Sequence, residues 1–117
     1  MAGPEATIER WVCDQALNKL GVPNVKWGID GWPDRIFLLP GRPFLIEFKA
    51  PGEEPSPRQL YRIKCLKLWN YDVEVFDDRD KALEAISKKL ELVRKDYNAS
   101  KEVICGKQKP KKNALKI

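Results

Sequence analysis

A chain of 117 residues suffices for one domain with one core and is too short for two of ordinary size; at 43% apolar and 33% charged residues, with four Trp and four Phe, it has the composition of a globular protein. It contains no histidine, which excludes a Ser-His-Asp triad, a His-based nuclease and a C2H2 finger, so any catalysis must run on carboxylates, lysine or a metal. The net charge of +5 is unevenly placed: residues 94–117 hold eight Lys or Arg against two acids, whereas residues 1–93 hold fourteen against fifteen.

Such a basic end commonly contacts phosphates through counterion release, and it serves equally well as a solubilising tail. Pro4, Glu5, Glu9 and Arg10 interrupt any apolar run near the N-terminus, and no later stretch has the length and apolarity of a bilayer span. A cytoplasmic setting with no membrane partner is expected. Cys13, Cys65 and Cys105 are odd in number and widely spaced, which predicts reduced thiols, and they lack zinc-knuckle spacing.

In chain order, residues 5–20 predict an amphipathic helix with Ile8, Trp11, Val12, Ala16 and Leu20 recurring at helical spacing, stopped by Gly21 and Pro23. Glu9 shares a stripe with Cys13, Ala16, Leu17 and Leu20, which places its carboxylate at the edge of the buried face; Glu5 lies four residues earlier on nearly the same face. VKWGIDGWPDR begins extended and then turns at Gly28, Gly31 and Pro33. Two short apolar runs, residues 35–39 and 43–49, flank PGR and predict a hairpin with Gly41 in the turn. Strand alternation sends Phe44, Ile46 and Phe48 one way and Leu45, Glu47 and Lys49 the other.

APGEEPSP is loop by composition, and Ser56 followed by Pro57 predicts the start of a helix running to about Trp69. Gln59 shares a face with Ile63 and Leu66 and needs a hydrogen-bond partner there, toward the polar end of the sheet. Residues 73–76 predict a strand, and residues 81–93 a last helix capped from the Asp-rich turn DDRD. The resulting order predicts a mixed sheet flanked by helices, with residues 1–93 as the domain and 94–117 as a flexible basic extension.

Antiparallel pairing in this hairpin brings Asp34, at the start of one strand, to Glu47, near the end of the other. Two close carboxylates repel, and a bound hard cation is the simplest way to make the pair favourable. Such ions prefer oxygen donors, so Asp34, Glu47 and the Phe48 carbonyl are the candidate ligands. Lys49, on the face of Glu47, is placed to orient an attacking water or to stabilise developing charge.

GWPDRIFLLPGRPFLIEFKAPG followed by SPRQ closely resembles the VRR-Nuc branch of the PD-(D/E)XK nucleases. The match spans roughly residues 5 to 80 and includes Pro33–Asp34, the triplet Glu47, Phe48 and Lys49, the hairpin between them and the helical Gln59. The resemblance implies an α/β restriction-endonuclease-like core, a central mixed sheet with flanking helices, and Mg2+- or Mn2+-dependent cleavage of structured DNA. It implies Asp34, Glu47, Lys49, Glu9 and Gln59 as catalytic residues, with Glu9 completing the metal site. Standalone members resemble phage or bacterial homodimers that resolve four-way junctions, which would place the protein in a bacterial or phage-infected cytoplasm. The competing readings are a flap or replication-intermediate nuclease and a DNA-binding module without catalysis. Arg35, Arg42 and Arg58, flanking the presumed groove, are candidate phosphate contacts, and Trp32 a candidate base contact. Trp11 and Trp69 are expected to be packed.

Overall fold

The computed structural model describes residues 3–105; residues 106–117 of the expected extension lie outside the described residues, as does the side chain of Cys105. Seven elements follow in order: α1 (Pro4–Leu20), β1 (Asn24–Lys26), β2 (Arg35–Leu39), β3 (Arg42–Phe48), α2 (Pro57–Leu68), β4 (Asp72–Phe76) and α3 (Arg79–Cys105). The four strands form one mixed sheet in the order β1-β2-β3-β4, antiparallel except for the parallel pair β3 and β4. That parallel pairing requires a crossover, which α2 provides.

Each element ends for a local reason. Pro4 occupies the first turn of α1, where its missing N–H is no loss, and Gly21 closes the helix in the left-handed region at φ 69°. The β2–β3 hairpin turns on Pro40 and on Gly41, whose φ of 67° is the positive value needed at the third position of a type II turn. Ser56 caps α2 in a full capping box with Gln59. Asp78 accepts the backbone N–H groups of Asp80 and Lys81 at the start of α3.

Strand alternation then divides the core into two layers. On one face Phe37, Leu39, Phe44, Ile46 and Phe48 pack against Ile8, Val12 and Ala16 of α1 and against Ala82, Ile86 and Leu90 of α3. The fully buried phenylalanines Phe37, Phe44 and Phe48 each contribute roughly 1.5–3 kcal/mol by leaving water. On the other face Leu45 and Val73 meet Ile63 and Leu66 of α2. Because α2 lies over β3 and β4, Val25 and Leu38 on this face remain about half exposed, at 50% and 45%.

The expected mixed α/β architecture is present, with three local differences. The last helix continues past Val93 to Cys105, so the first part of the basic segment is helical. Leu17, expected on the buried stripe of α1, is 53% exposed because the sheet and α3 meet the helix along Ile8, Val12 and Ala16. Trp69, expected to be packed, is 61% exposed: α2 ends at Leu68 and the chain turns at Asn70, which adopts φ 66°, before the indole reaches the core.

Candidate active site

The β2–β3 register pairs Arg35 with Ile46, so the next position out sets Asp34 against Glu47 at the end of the hairpin. Alternation that sends Ile46 and Phe48 into the α1/α3 core turns Glu47 and Lys49 toward α2. Glu47 is 1% exposed, and the Lys49 Nζ lies 3.2 Å from its Oε2. Gln59 reaches the same oxygen: its Nε2 donates to Glu47 Oε2 at 2.8 Å.

The direction of that amide is fixed by the helix start. Gln59 Oε1 accepts the Ser56 N–H at 2.9 Å while the Ser56 hydroxyl accepts the Gln59 N–H at 3.2 Å. With its carbonyl end engaged by a donor, the amide must present its NH2 to Glu47. Asp34 is oriented similarly, its Oδ2 accepting the Phe48 N–H at 2.7 Å beyond the last paired residue of β2. The carbonyl of an extended residue faces the same edge as its N–H, so Phe48 directs its oxygen to the side from which Asp34 approaches.

The third carboxylate that the structure brings to this pair is Glu5, where the sequence reading expected Glu9. Single oxygens of Glu5, Asp34 and Glu47 lie within 4.8 Å of one another. Glu9, the expected ligand, instead accepts a hydrogen bond from Arg35 Nε at 2.5 Å, and Arg35 Nη1 also donates to Asn24 Oδ1 at 3.1 Å. One helical turn separates the two glutamates, about 6 Å along the axis, which sets Glu9 beside β2 and Glu5 level with the strand ends. Glu5 also sits in the first turn of α1, where the helix dipole favours negative charge.

Burial pushes Glu47 up to about 7, the nearby Asp34 charge adding to the rise against the opposing pull of Lys49. Asp34 is raised by burial against the lowering effect of the Phe48 N–H, and Glu5 by burial against Lys49. Glu47 Oε1 is buried with no hydrogen-bond partner, although Oε2 of the same group has two. Three crowded carboxyl groups, one with an unpartnered buried oxygen, make a donor set that fits a hard divalent cation.

The candidate DNA contacts are dispersed. Arg35 is committed to Glu9 and Asn24; Arg58 is exposed and lies 3.3 Å from Asp30; Arg42 stands at the opposite end of β3 from the carboxylates. Trp32 stacks with Trp27 at 5.1 Å between ring centroids, and the Arg62 guanidinium lies over its ring at 4.8 Å. Sequence reasoning missed Arg62, although its place one turn after Gln59 was a usable signal.

No family model matches the chain. It is 43% identical over 80 residues, 65% of its own length and 85% of the relative's, to the protein named "Putative nuclease p44" of Acyrthosiphon pisum secondary endosymbiont phage 1. Two solved structures share the fold. One, a "VRR_NUC domain", superposes with a TM-score of 0.61 at 23% identity over 74% of this chain and 97% of that one. The other, a "VRR_NUC domain protein", gives 0.63 at 18% identity over 79% and 92%. With that phage relative matched over most of its length, and the same mixed sheet carrying Asp34, Glu47 and Lys49 at the end of its hairpin, the chain belongs to the VRR-Nuc domain family.

Proposed function

We propose that the protein is a metal-dependent DNA nuclease that hydrolyses phosphodiester bonds at the cluster of Glu5, Asp34 and Glu47. The observation that carries this reading is the crowding of the Glu5, Asp34 and Glu47 carboxylates, with Glu47 Oε1 buried and unpartnered, an arrangement unfavourable until a cation enters it. Glu5, Asp34, Glu47 and the Phe48 carbonyl would hold Mg2+ or Mn2+. When bound, such an ion neutralises phosphate charge and acidifies a water.

The chain's own groups supply the remainder. Gln59 and Lys49 both occupy Glu47 Oε2, which leaves Oε1 as the ligating atom and fixes the carboxylate plane. The Phe48 N–H does the same for Asp34, holding Oδ2 and freeing Oδ1. Lys49, with a side chain only 12% exposed, keeps its ammonium group at the cluster without freedom to swing into solvent. It is placed to orient the attacking water and to donate to the oxygen on which charge develops. Glu9 acts indirectly, by holding Arg35 on β2 next to Asp34.

The substrate we infer is branched DNA, with a four-way junction cut by a homodimer as the leading form and a flap or replication intermediate as the alternative. The family resemblance of the motif and the phage origin of the similar nuclease support this choice, and a two-fold dimer offers two sites to a nearly symmetric junction. The basic segment 94–117 adds sequence-independent contacts to phosphate. Cleavage of labelled four-way, flap and linear substrates with Mg2+ or Mn2+ tests the reading. An Asp34→Ala variant that cuts as well as wild type would defeat it, and DNA held equally with and without metal but never cut would favour a binding module.

A further inference from the structure

The face of the sheet that carries Glu47 does not end at the carboxylates. Leu45 lies two residues back along β3 on the same side, and from there an open groove of about 400 Å³ runs between Trp27, Trp32, Ile36, Pro43, Leu66, Trp69 and Tyr71. A second groove, lined by Arg42, Lys67 and Asp72, shares Pro43, Trp69 and Tyr71 as its wall. The first groove lies on the face of β3 that carries Glu47, with Leu45 in its wall two residues before that carboxylate and Trp32 two residues before Asp34.

Two chemistries alternate along this path. Flat apolar surface comes from the Trp27–Trp32 pair and from Trp69 and Tyr71, which are 61% and 47% exposed. Positive charge comes from Arg62, Arg42 and Lys67. The acid of the second groove, Asp72, lies 2.8 Å from Lys89, which Glu74 also approaches at 3.6 Å, so Arg42 and Lys67 leave that groove with a small positive excess while the first groove is apolar. The Arg62 guanidinium lies over the Trp32 ring at 4.8 Å, and its buried Nε has no hydrogen-bond partner. Aromatic faces interleaved with cations bind unpaired nucleotides, the rings stacking on bases and the cations meeting the backbone.

We propose that this cleft is a subsite for a single-stranded segment of the DNA substrate, entered at the Trp32–Arg62 pair and lined farther out by Trp69 and Tyr71. The proposal rests on the nuclease reading for the identity of its ligand, and within that reading it favours a flap or replication intermediate, which has an unpaired arm, over the fully paired four-way junction. A face of this kind could alternatively receive a second copy of the chain; the cations of the second groove and the face of β3 that the first groove shares with Glu47 favour DNA.

The test uses the full-length protein in EDTA, so that nothing is cut. Binding of a fluorescein-labelled dT15 strand and of a blunt duplex is followed by anisotropy, and tryptophan quenching is recorded with unlabelled dT15. Trp69→Ala and Tyr71→Ala remove exposed rings and leave the core intact. Each is expected to weaken dT15 binding on the order of 10-fold, with less than about twofold change for the duplex. Equal loss for both DNAs, or no loss for either, overturns the proposal. So does sedimentation showing that wild type is a dimer and Trp69→Ala a monomer, which would assign the groove to a second copy. Metal-induced thermal stabilisation, measured on the same variants, reports on the cluster separately: its absence in wild type counts against the nuclease reading, whereas unchanged dT15 binding by Trp69→Ala and Tyr71→Ala with stabilisation intact counts only against the subsite.

Discussion

Replacing Glu47 with glutamine should raise the stability of the metal-free protein at pH 8. Burial, with the Asp34 charge adding to it, moves this carboxyl from 4.5 to about 7. A group that binds its proton more tightly in the folded chain than in the unfolded one loses stability as pH rises between those two values. The metal-free protein is therefore most stable near pH 5 and weakens toward pH 7.5, and the raised values of Asp34 and Glu5 reinforce the slope. At about 1.4 kcal/mol per pKa unit, keeping Glu47 ionised above pH 7 costs the fold about 3 kcal/mol. An amide at this position still accepts from Gln59 Nε2 and carries no charge. Some of the gain is returned because Lys49 loses its partner at 3.2 Å. With a melting temperature that moves by about 4 °C per kcal/mol in a domain of this size, Glu47→Gln should melt up to about 10 °C above wild type at pH 8 in EDTA. The two should converge near pH 5. Mg2+ or Mn2+ should stabilise wild type and leave the variant unchanged. Thermal melts followed by circular dichroism measure all of this, and a variant less stable than wild type at pH 8 in EDTA would refute the argument, because Glu47 would then be a favourable partner of Lys49 and not a strained anion.

Lys49→Ala should retain DNA binding and lose cutting, as read by gel shift in EDTA and cleavage in Mg2+; equal loss of both contradicts a catalytic role. Glu5→Gln should abolish the metal-induced rise in melting temperature and reduce cleavage by about 100-fold or more. Glu9→Gln should keep that rise and instead cost about 1–2 kcal/mol in urea unfolding, because it leaves the half-buried Arg35 guanidinium without its anion. Ser56→Ala should cost about 1 kcal/mol as a lost helix cap and also lower activity modestly, since fraying of the first turn of α2 loosens Gln59 even though the backbone N–H at position 56 can still donate to its Oε1. The Cys13 thiol, pushed up to about 11 by burial, should stay largely unalkylated after brief iodoacetamide treatment at pH 8, as read by mass spectrometry.

The hairpin was readable from the sequence because its determinants are local: Pro40 and Gly41 set the turn, and period-two alternation fixes which face Glu47 takes. Gln59 was readable for the same reason, its place after Ser56 and Pro57 leaving it in the first turn of α2. What the sequence left open was the level at which α1 crosses the strand ends. Glu5 and Glu9 occupy one helical stripe, and only tertiary packing decides which meets Asp34 and which meets Arg35. The exposure of Trp69 was hidden similarly, since helical spacing describes a face and not the point at which the helix stops.

The shared use of Gln59 has one further consequence. Its amide closes the first turn of α2 and also steadies Glu47, so fraying of that turn and loosening of the proposed metal ligand are the same event. Extra residues spliced into the stretch 50–55 would lengthen a loop and leave the chemistry intact. One residue spliced between Ser56 and Gln59 would unfasten the helix and disarm the enzyme together.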